Sequence, residues 1–411
     1  MGPVPERSAD LPGIDSLDVE GKRVLVRCDL NVPLKDGRIT DDLRIRSAVP
    51  TLNALLERGA RLAVCSHLGR PKGKVVDELS LKPVGERLEE LLGRHVEVAG
   101  DVVGESARLA CATNYEVVML ENLRFEAGEE RNDPGLAEDL ARLADAYVDD
   151  AFGAAHRAHA SISGVAELLP AAAGYLLQEE VTKLERLLHA PEQPFVAVLG
   201  GAKVSDKLSV IGNLLERVDS ICIGGAMAFT LLVAQGHDVG RSLVEHDRVD
   251  AVRDVLGRAA DKRVAILLPS DVVAAVSPEA GSSCETVPLD AIGDRLGVDI
   301  GPETSANFAS AITGARTVLW NGPMGIFEVP EFAGGTRAVA EAMAAATRAG
   351  AYTVAGGGDS AAALAQLGME DAVSHLSTGG GASLELLEGR ELPGVEVLRR
   401  KAAAAGLEGR T

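Results

Sequence analysis

At 411 residues the chain is too long for a single compact core, and two domains of about 200 residues each are expected. A hydrophobic fraction of 46% beside 25% charged residues, without repeats, excludes a disordered or fibrous chain. The formal net charge of −20 excludes a general binder of nucleic acid or anionic membrane, so any anionic ligand has to be drawn by a local basic cluster.

The first residues, MGPVPERSADLPG, carry acids early and hold no apolar core, so no signal peptide is expected, and no apolar run approaches the length of a membrane span. Short apolar, β-branched runs then recur: KRVLVRC (22–28), RLAVCS (61–66), EVVML (116–120) and AYVDD (146–150). Between them lie stretches of helical period, such as LRIRSAVPTLNALLERG and GERLEELLG, each closed by glycine. The second half repeats the scheme with FVAVL (195–199), SICI (220–223), RVAILL (263–268), TVLW (317–320) and AYTVA (351–355). Strands alternating with helices predict an α/β fold: two doubly wound, Rossmann-like parallel sheets. The stretch 176–194, charged and ended by a proline-rich turn, reads as a connecting helix and hinge. The expected domains are therefore 1–175 and 195–390. The five cysteines include no CxxC pair, and Cys28, Cys65 and Cys222 lie inside apolar runs. They read as buried thiols of a reducing, cytoplasmic setting.

In doubly wound folds ligands bind beyond the carboxyl ends of the strands. In the first half those positions are basic or polar: Asp29 and Asn31, then His67 and Arg70, then Arg124, with Arg44 opening the first helix. The stretch DAFGAAHRAHAS (150–161) adds His156, Arg157 and His159. A lone histidine is more often structural, but three beside several arginines point to an anion site, because the guanidinium fork matches phosphate and carboxylate geometry. In the second half the same positions are glycine-rich: Gly200-Gly201 before Lys203 and Lys207, then Gly224-Gly225, Asn321-Gly322-Pro323, and Gly356-Gly357-Gly358 before Asp359 and Ser360. Each glycine cluster alone is an ordinary tight turn, whereas four on one rim suit a nucleotide whose phosphates approach backbone and helix N-termini. Lys203 and Lys207, four apart, are expected on one face of a helix start. Asp359 reads either as a helix cap or as a Mg²⁺ ligand beside nucleotide phosphates. Neither a Walker A sequence nor GxGxxG is present, which disfavours a P-loop NTPase and an NAD-dependent oxidoreductase. A silent anion-binding scaffold needs only the fold, and the intact Lys203, Lys207 and Asp359 argue against it.

RCDLNVPLKDGRITDDLRI, SHLGRP, LENLRF, DAFGAAHRAHAS, LGGAKVSDKL, WNGPMGIFE, GGGDS and STGGGASLELLEG resemble, in order and over about residues 14–398, the motifs of phosphoglycerate kinases. The resemblance implies Mg²⁺-dependent transfer of a phosphoryl group between 1,3-bisphosphoglycerate and ADP, giving 3-phosphoglycerate and ATP, by a cytoplasmic monomer without nucleic-acid or membrane partners. It implies that Asp29 and Asn31 hold the glycerate, and that His67, Arg70, Arg124 and Arg157 hold its non-transferred phosphate; with no proton to carry, His156 and His159 read as supports or ligands of this anion site. Arg44 would lie nearest the transferring group, and Lys203 and Lys207 would contact the nucleotide phosphates and that group. Gly356, Gly357, Gly358, Asp359 and Ser360 would cradle phosphates and metal, Glu328 the ribose, and Gly224 and Gly225 the adenine. The segment 391–411 would return to the N-terminal domain. Departures from the family pattern are small: Asp149 stands where Asn is usual, Ala226 where Gly is, and Ser360 where Thr is commoner. The acceptor of the reverse reaction is a carboxylate, ionised at pH 7, so no general base is expected. Closure of the two domains is expected to exclude water.

Overall fold

A computed structural model describes residues 11–404 and 406. The reading of the first ten residues, and the end of the returning segment, lie outside the described residues. The chain divides into two units, one running to Thr182 and resuming at Glu391, the other comprising Lys183–Arg390. The helix Tyr175–His189 carries the chain from the first to the second.

The first unit is built on β1 (Arg23–Cys28), β2 (Arg61–Cys65), β3 (Val96–Val98), β4 (Val117–Met119), β5 (Ala146–Asp150) and β6 (Ala171–Ala173). They form one parallel sheet in the order β3-β4-β2-β1-β5-β6. Every residue of β1 and β5 is buried, as expected of parallel strands covered on both faces. Val24, Val26, Leu62 and Val64 pack with Leu52 and Leu55 of the helix Leu43–Glu57, and each such side chain contributes about 1.5–3 kcal/mol on burial. The C-terminal helix Pro393–Ala404 belongs to this unit: Gly394 N donates to Ala155 O at 2.9 Å, and Lys401 Nζ to Leu169 O at 2.6 Å. Because the chain winds from β1 one way to β4 and then crosses to β5, the order reverses beside β1. The loops after β1 and β5 therefore flank a topological switch point, where such folds bind ligands.

The second unit contains β7 (Phe195–Leu199), β8 (Ser220–Ile223), β9 (Ala265–Leu267), β13 (Thr317–Asn321), β14 (Tyr352–Gly356) and β15 (His375–Ser377) in a parallel sheet ordered β9-β8-β7-β13-β14-β15. Its switch point lies between β7 and β13. Trp320, Phe308 and Met343 anchor the core on one face. The chain between β9 and β13 forms an additional antiparallel sheet of β10 (Asp271–Ala275), β11 (Cys284–Pro288) and β12 (Leu296–Ile300) in the order β11-β10-β12, with its own core around Phe229, Val272 and Ile292. No described helix is long and apolar enough to cross a membrane.

Candidate active site

In the first unit the structure brings the basic rim together beyond β1, β2, β4 and β5. Arg44, in the first turn of its helix, hydrogen-bonds Asp29. Burial opposes ionisation of Asp29, yet Arg44 and Arg27 beside it hold its carboxyl below the ordinary value. Asn31 Oδ1 accepts from Gly69 N at 2.9 Å, tying the loop after β1 to the loop after β2. The loops after β2 and β4 are joined by Asn122, whose amide donates to Leu68 O at 2.8 Å and to Leu79 O at 2.9 Å. Arg124, buried, donates to Gly69 O at 2.6 Å and faces Glu130 at 3.4 Å. His67 is buried, and burial, assisted by Arg27, Arg124 and Arg44, pushes its imidazole well below the ordinary value against the pull of Asp29. It is neutral at pH 7. After β5, Arg157 is exposed and its Nε donates to His156 Nε2 at 3.2 Å, while His159 is buried against Glu129. Arg70 is exposed.

In the second unit the glycine loops meet at the switch point. Gly200 N donates to Asn321 O at 3.0 Å and Gly201 N to Pro323 O at 3.0 Å. Gly225 has a φ of +66°, and a Cβ there would lie 2.6 Å from Gly201 N, so only glycine lets these loops approach. Gly357 has a φ of +93°, and a Cβ there would meet Asn321 Nδ2 at 2.9 Å; it precedes the helix Gly358–Leu367. Asp359 stands exposed in that helix's first turn, inside it rather than at its cap. Ser360 is buried, its hydroxyl accepting from Gly322 N at 2.7 Å, so it holds the loop after β13.

One expectation fails. Lys203 and Lys207 do not share a helical face, because the helix begins only at Leu208. Residues 205–207 form a turn held by Glu245, which accepts from Ser205 N at 3.0 Å. Lys203 is exposed, whereas Lys207 is only 8% exposed and points at Asn321 O, 3.4 Å away. Burial lowers the Lys207 ammonium to about 8, against Asp359 and Asp206, which raise it.

Beside these loops lies a cavity of about 500 Å³, lined by Gly201, Gly225, Phe229, Leu296, Met324, Glu328 and Asp359. Its mainly apolar wall and few polar groups are those of a small-molecule site. Glu328 is on its exposed edge, and Gly224 lies just behind, a Cβ there reaching within 2.5 Å of Met324 Sδ. Asp299, unnoticed in the sequence, lines the same cavity; burial raises its carboxyl to about 7, and it accepts from Gly335 N at 2.7 Å at the start of the helix Gly334–Arg348. Arg27, Asn122, Glu129 and Ser161 were given no role in the sequence reading. The arginine interrupting the apolar run VLVRC was the available signal.

The family model for phosphoglycerate kinase matches residues 14–390. The chain belongs to the phosphoglycerate kinase family. It is 55% identical over 391 residues to the phosphoglycerate kinase of Moorella thermoacetica, covering 94% of this chain and 99% of the relative. It is likewise 55% identical over 392 residues to that of Thermomicrobium roseum, covering 95% and 99%. Among solved structures, phosphoglycerate kinase from Coxiella burnetii superposes with a TM-score of 0.88 at 42% identity, over 96% of this chain and all (100%) of that one. The enzyme from Pyrococcus horikoshii gives 0.82 at 33% identity, over 95% and 98%. The activity is that of the family, a phosphotransferase with a carboxyl group as acceptor that acts on ADP and ATP in glycolysis.

Proposed function

We propose that the first unit holds 3-phosphoglycerate or 1,3-bisphosphoglycerate on its basic rim, and that the second holds the nucleotide in the 500 Å³ cavity. The observation supporting this most directly is the pairing of two switch points of opposite character, one lined by Arg44, His67, Arg124 and Arg157, the other by glycine backbone. Asp29 and Asn31 position the glycerate, and Arg70 and His156 complete the basic rim. Glu328 takes the ribose, Gly224 and Gly225 flank the base, and Gly356, Gly357, Gly358 and Ser360 shape the phosphate loop. Arg44, Lys203 and Lys207 receive the charge of the transferring group. The carboxylate acceptor is already ionised. The residues therefore have positioning and charge stabilisation to supply, which is most of what a protein contributes to phosphoryl transfer. A neutral His67 is a hydrogen-bond donor to an anion, not an acid–base group.

Among the described residues no group of three or more His, Cys, Asp or Glu side chains gathers to hold a metal. A single exposed carboxylate, Asp359, at a helix N-terminus suits Mg²⁺ that arrives with the nucleotide, since Mg²⁺ commonly takes one or two carboxylates plus phosphate oxygens. When bound it supplies neutralisation of phosphate charge. The remaining features of the reading are a cytoplasmic monomer acting on small molecules alone. A coupled assay with 3-phosphoglycerate and ATP, with and without Mg²⁺, tests the assignment. Loss of activity on substituting Arg44 and Lys207 is expected, and full activity in both variants would overturn it.

A further inference from the structure

Beneath the basic rim runs a chain of buried polar groups. Arg27 on β1 is 1% exposed and Glu129 is 0% exposed. Arg27 Nε donates to Ser161 Oγ at 2.9 Å, and Ser161 Oγ donates to Glu129 Oε1 at 2.6 Å. The other carboxylate oxygen accepts from Ser161 N at 3.0 Å, and His159 Nδ1 lies 3.6 Å from Oε1. At the opposite end Arg27 Nη2 stands 3.1 Å from His67 Nδ1, and Nη1 donates to Cys28 O.

The direction of these hydrogen bonds is fixed by Arg27 and Glu129. A guanidinium only donates, and a carboxylate only accepts. Ser161 must therefore receive from Arg27 and give to Glu129. His67 Nδ1 must accept from Arg27, which leaves the imidazole proton on Nε2. Burial opposes ionisation of Glu129, but His159, Arg27 and Ser161 hold its carboxyl below the ordinary value, so the acceptor end stays charged. The Ser161 hydroxyl also separates the buried charges: without it the guanidinium is free to swing onto Glu129 and away from His67.

We propose that Glu129, through Ser161 and Arg27, is a positioning residue that locks His67 as an Nε2–H donor for the bound glycerate anion. The proposal rests on the reading of His67 as part of the anion site. Arg27 is then not itself a ligand: it is buried, and each of its three nitrogens is engaged inward, by Ser161, Cys28 O and His67.

The test combines ¹⁵N NMR of the histidine side chains with steady-state kinetics. In the wild type His67, assigned by loss of its signal in His67→Gln, is expected as the single Nε2–H tautomer. In Ser161→Ala a tautomer mixture is expected, with a KM for 3-phosphoglycerate raised about 10-fold and an unchanged KM for ATP, consistent with loss of one binding contact. Ser161→Thr, which keeps the hydroxyl, should restore both. Glu129→Gln should act in the same direction if it folds; Ser161→Ala, which removes one oxygen, carries the test if it does not. An unchanged tautomer and KM in folded Ser161→Ala, while His67→Gln raises KM, would overturn the relay and leave the anion site standing. If His67→Gln leaves KM unchanged, the anion-site reading of His67 falls instead, and the role assigned to Glu129 falls with it.

Discussion

Asp149 should make the protein less stable as pH rises, and Asp149→Asn should remove that dependence. Its side chain is fully buried on β5, opposite Arg27 in the sheet register, and Oδ1 accepts from Ala151 N at 3.0 Å. Burial raises its carboxyl from 3.8 to about 6, against the Ala151 N–H and Arg27. The folded value lies above the unfolded one. Its contribution is therefore fully present below pH 3.8 and is lost as pH rises through about 6. Between pH 5 and pH 8 a carboxyl with these two values withdraws about 1.4 kcal/mol of native-state stability. Asparagine keeps the acceptor for Ala151 and cannot ionise. Whatever its amide gains or loses at the Oδ2 position is the same at both pH values and cancels in the comparison. Asp150, raised to about 7 by burial and in part by Asp149, is relieved in the same direction. The assay is guanidinium unfolding of wild type and variant at pH 5 and pH 8, followed by circular dichroism. The variant's stability relative to wild type should be more favourable at pH 8 by about 1.4 kcal/mol. A relative stability identical at both pH values would refute the assignment of a buried, titrating carboxyl to this position.

Lys207→Ala should lower kcat by about 100-fold or more, the scale of one lost transition-state donor, and an unchanged kcat in steady-state kinetics would remove Lys207 from the reaction. Because its ammonium is lowered to about 8, kcat/KM should fall as pH rises through that region, and the pH profile of the free enzyme checks this. Asp359→Asn should weaken Mg-nucleotide binding while leaving 3-phosphoglycerate binding intact; calorimetry on each ligand separately reads the difference, and equal losses would make the residue structural. Direct transfer requires reacting atoms about 3–3.5 Å apart, so small-angle scattering should give a smaller radius of gyration for the ternary complex than for the unliganded protein, and an unchanged radius in a competent ternary complex would exclude closure.

Nine apolar runs in the sequence coincide with nine of the twelve parallel strands, because a strand buried on both faces shows as an unbroken hydrophobic string, as β1, β5 and β7 do. Three of the four edge strands, β3, β6 and β15, did not show. β6 is Ala-Ala-Ala, and β3 and β15 have three residues each, so pairing with a neighbour rather than propensity makes them strands. The antiparallel sheet was missed although DVVAA and CETVP flank the turn sequence SPEAGSS, an ordinary hairpin signal. Of the site, the rim residues were legible because each follows a strand. The relay was not: Glu129 and Ser161 are 32 residues apart, and only the fold joins them. Lys203 and Lys207 were misjudged because spacing of four implies a shared face only inside a helix.

The basic rim of the first unit is assembled before any ligand arrives, and internal acceptors hold it in place. Arg44 rests on Asp29, Arg124 on Gly69 O and Glu130, and Arg157 on His156. These placeholders differ in strength. Glu130 is 48% exposed, and ion pairs with so exposed a partner contribute only about 0–1 kcal/mol. A phosphate can therefore displace it at little cost and keep the guanidinium where it stands. His67 and Arg27 differ because their partners, each other, Ser161 and Cys28 O, are buried as well, and a buried donor without a partner costs about 1–3 kcal/mol. Their positions have to be fixed by the interior, through Ser161 and Glu129, while Arg44, Arg124 and Arg157 can be fixed by the ligand. A buried, charge-balanced scaffold beneath an exchangeable surface layer lets an acidic protein present a concentrated positive site without unfolding around it.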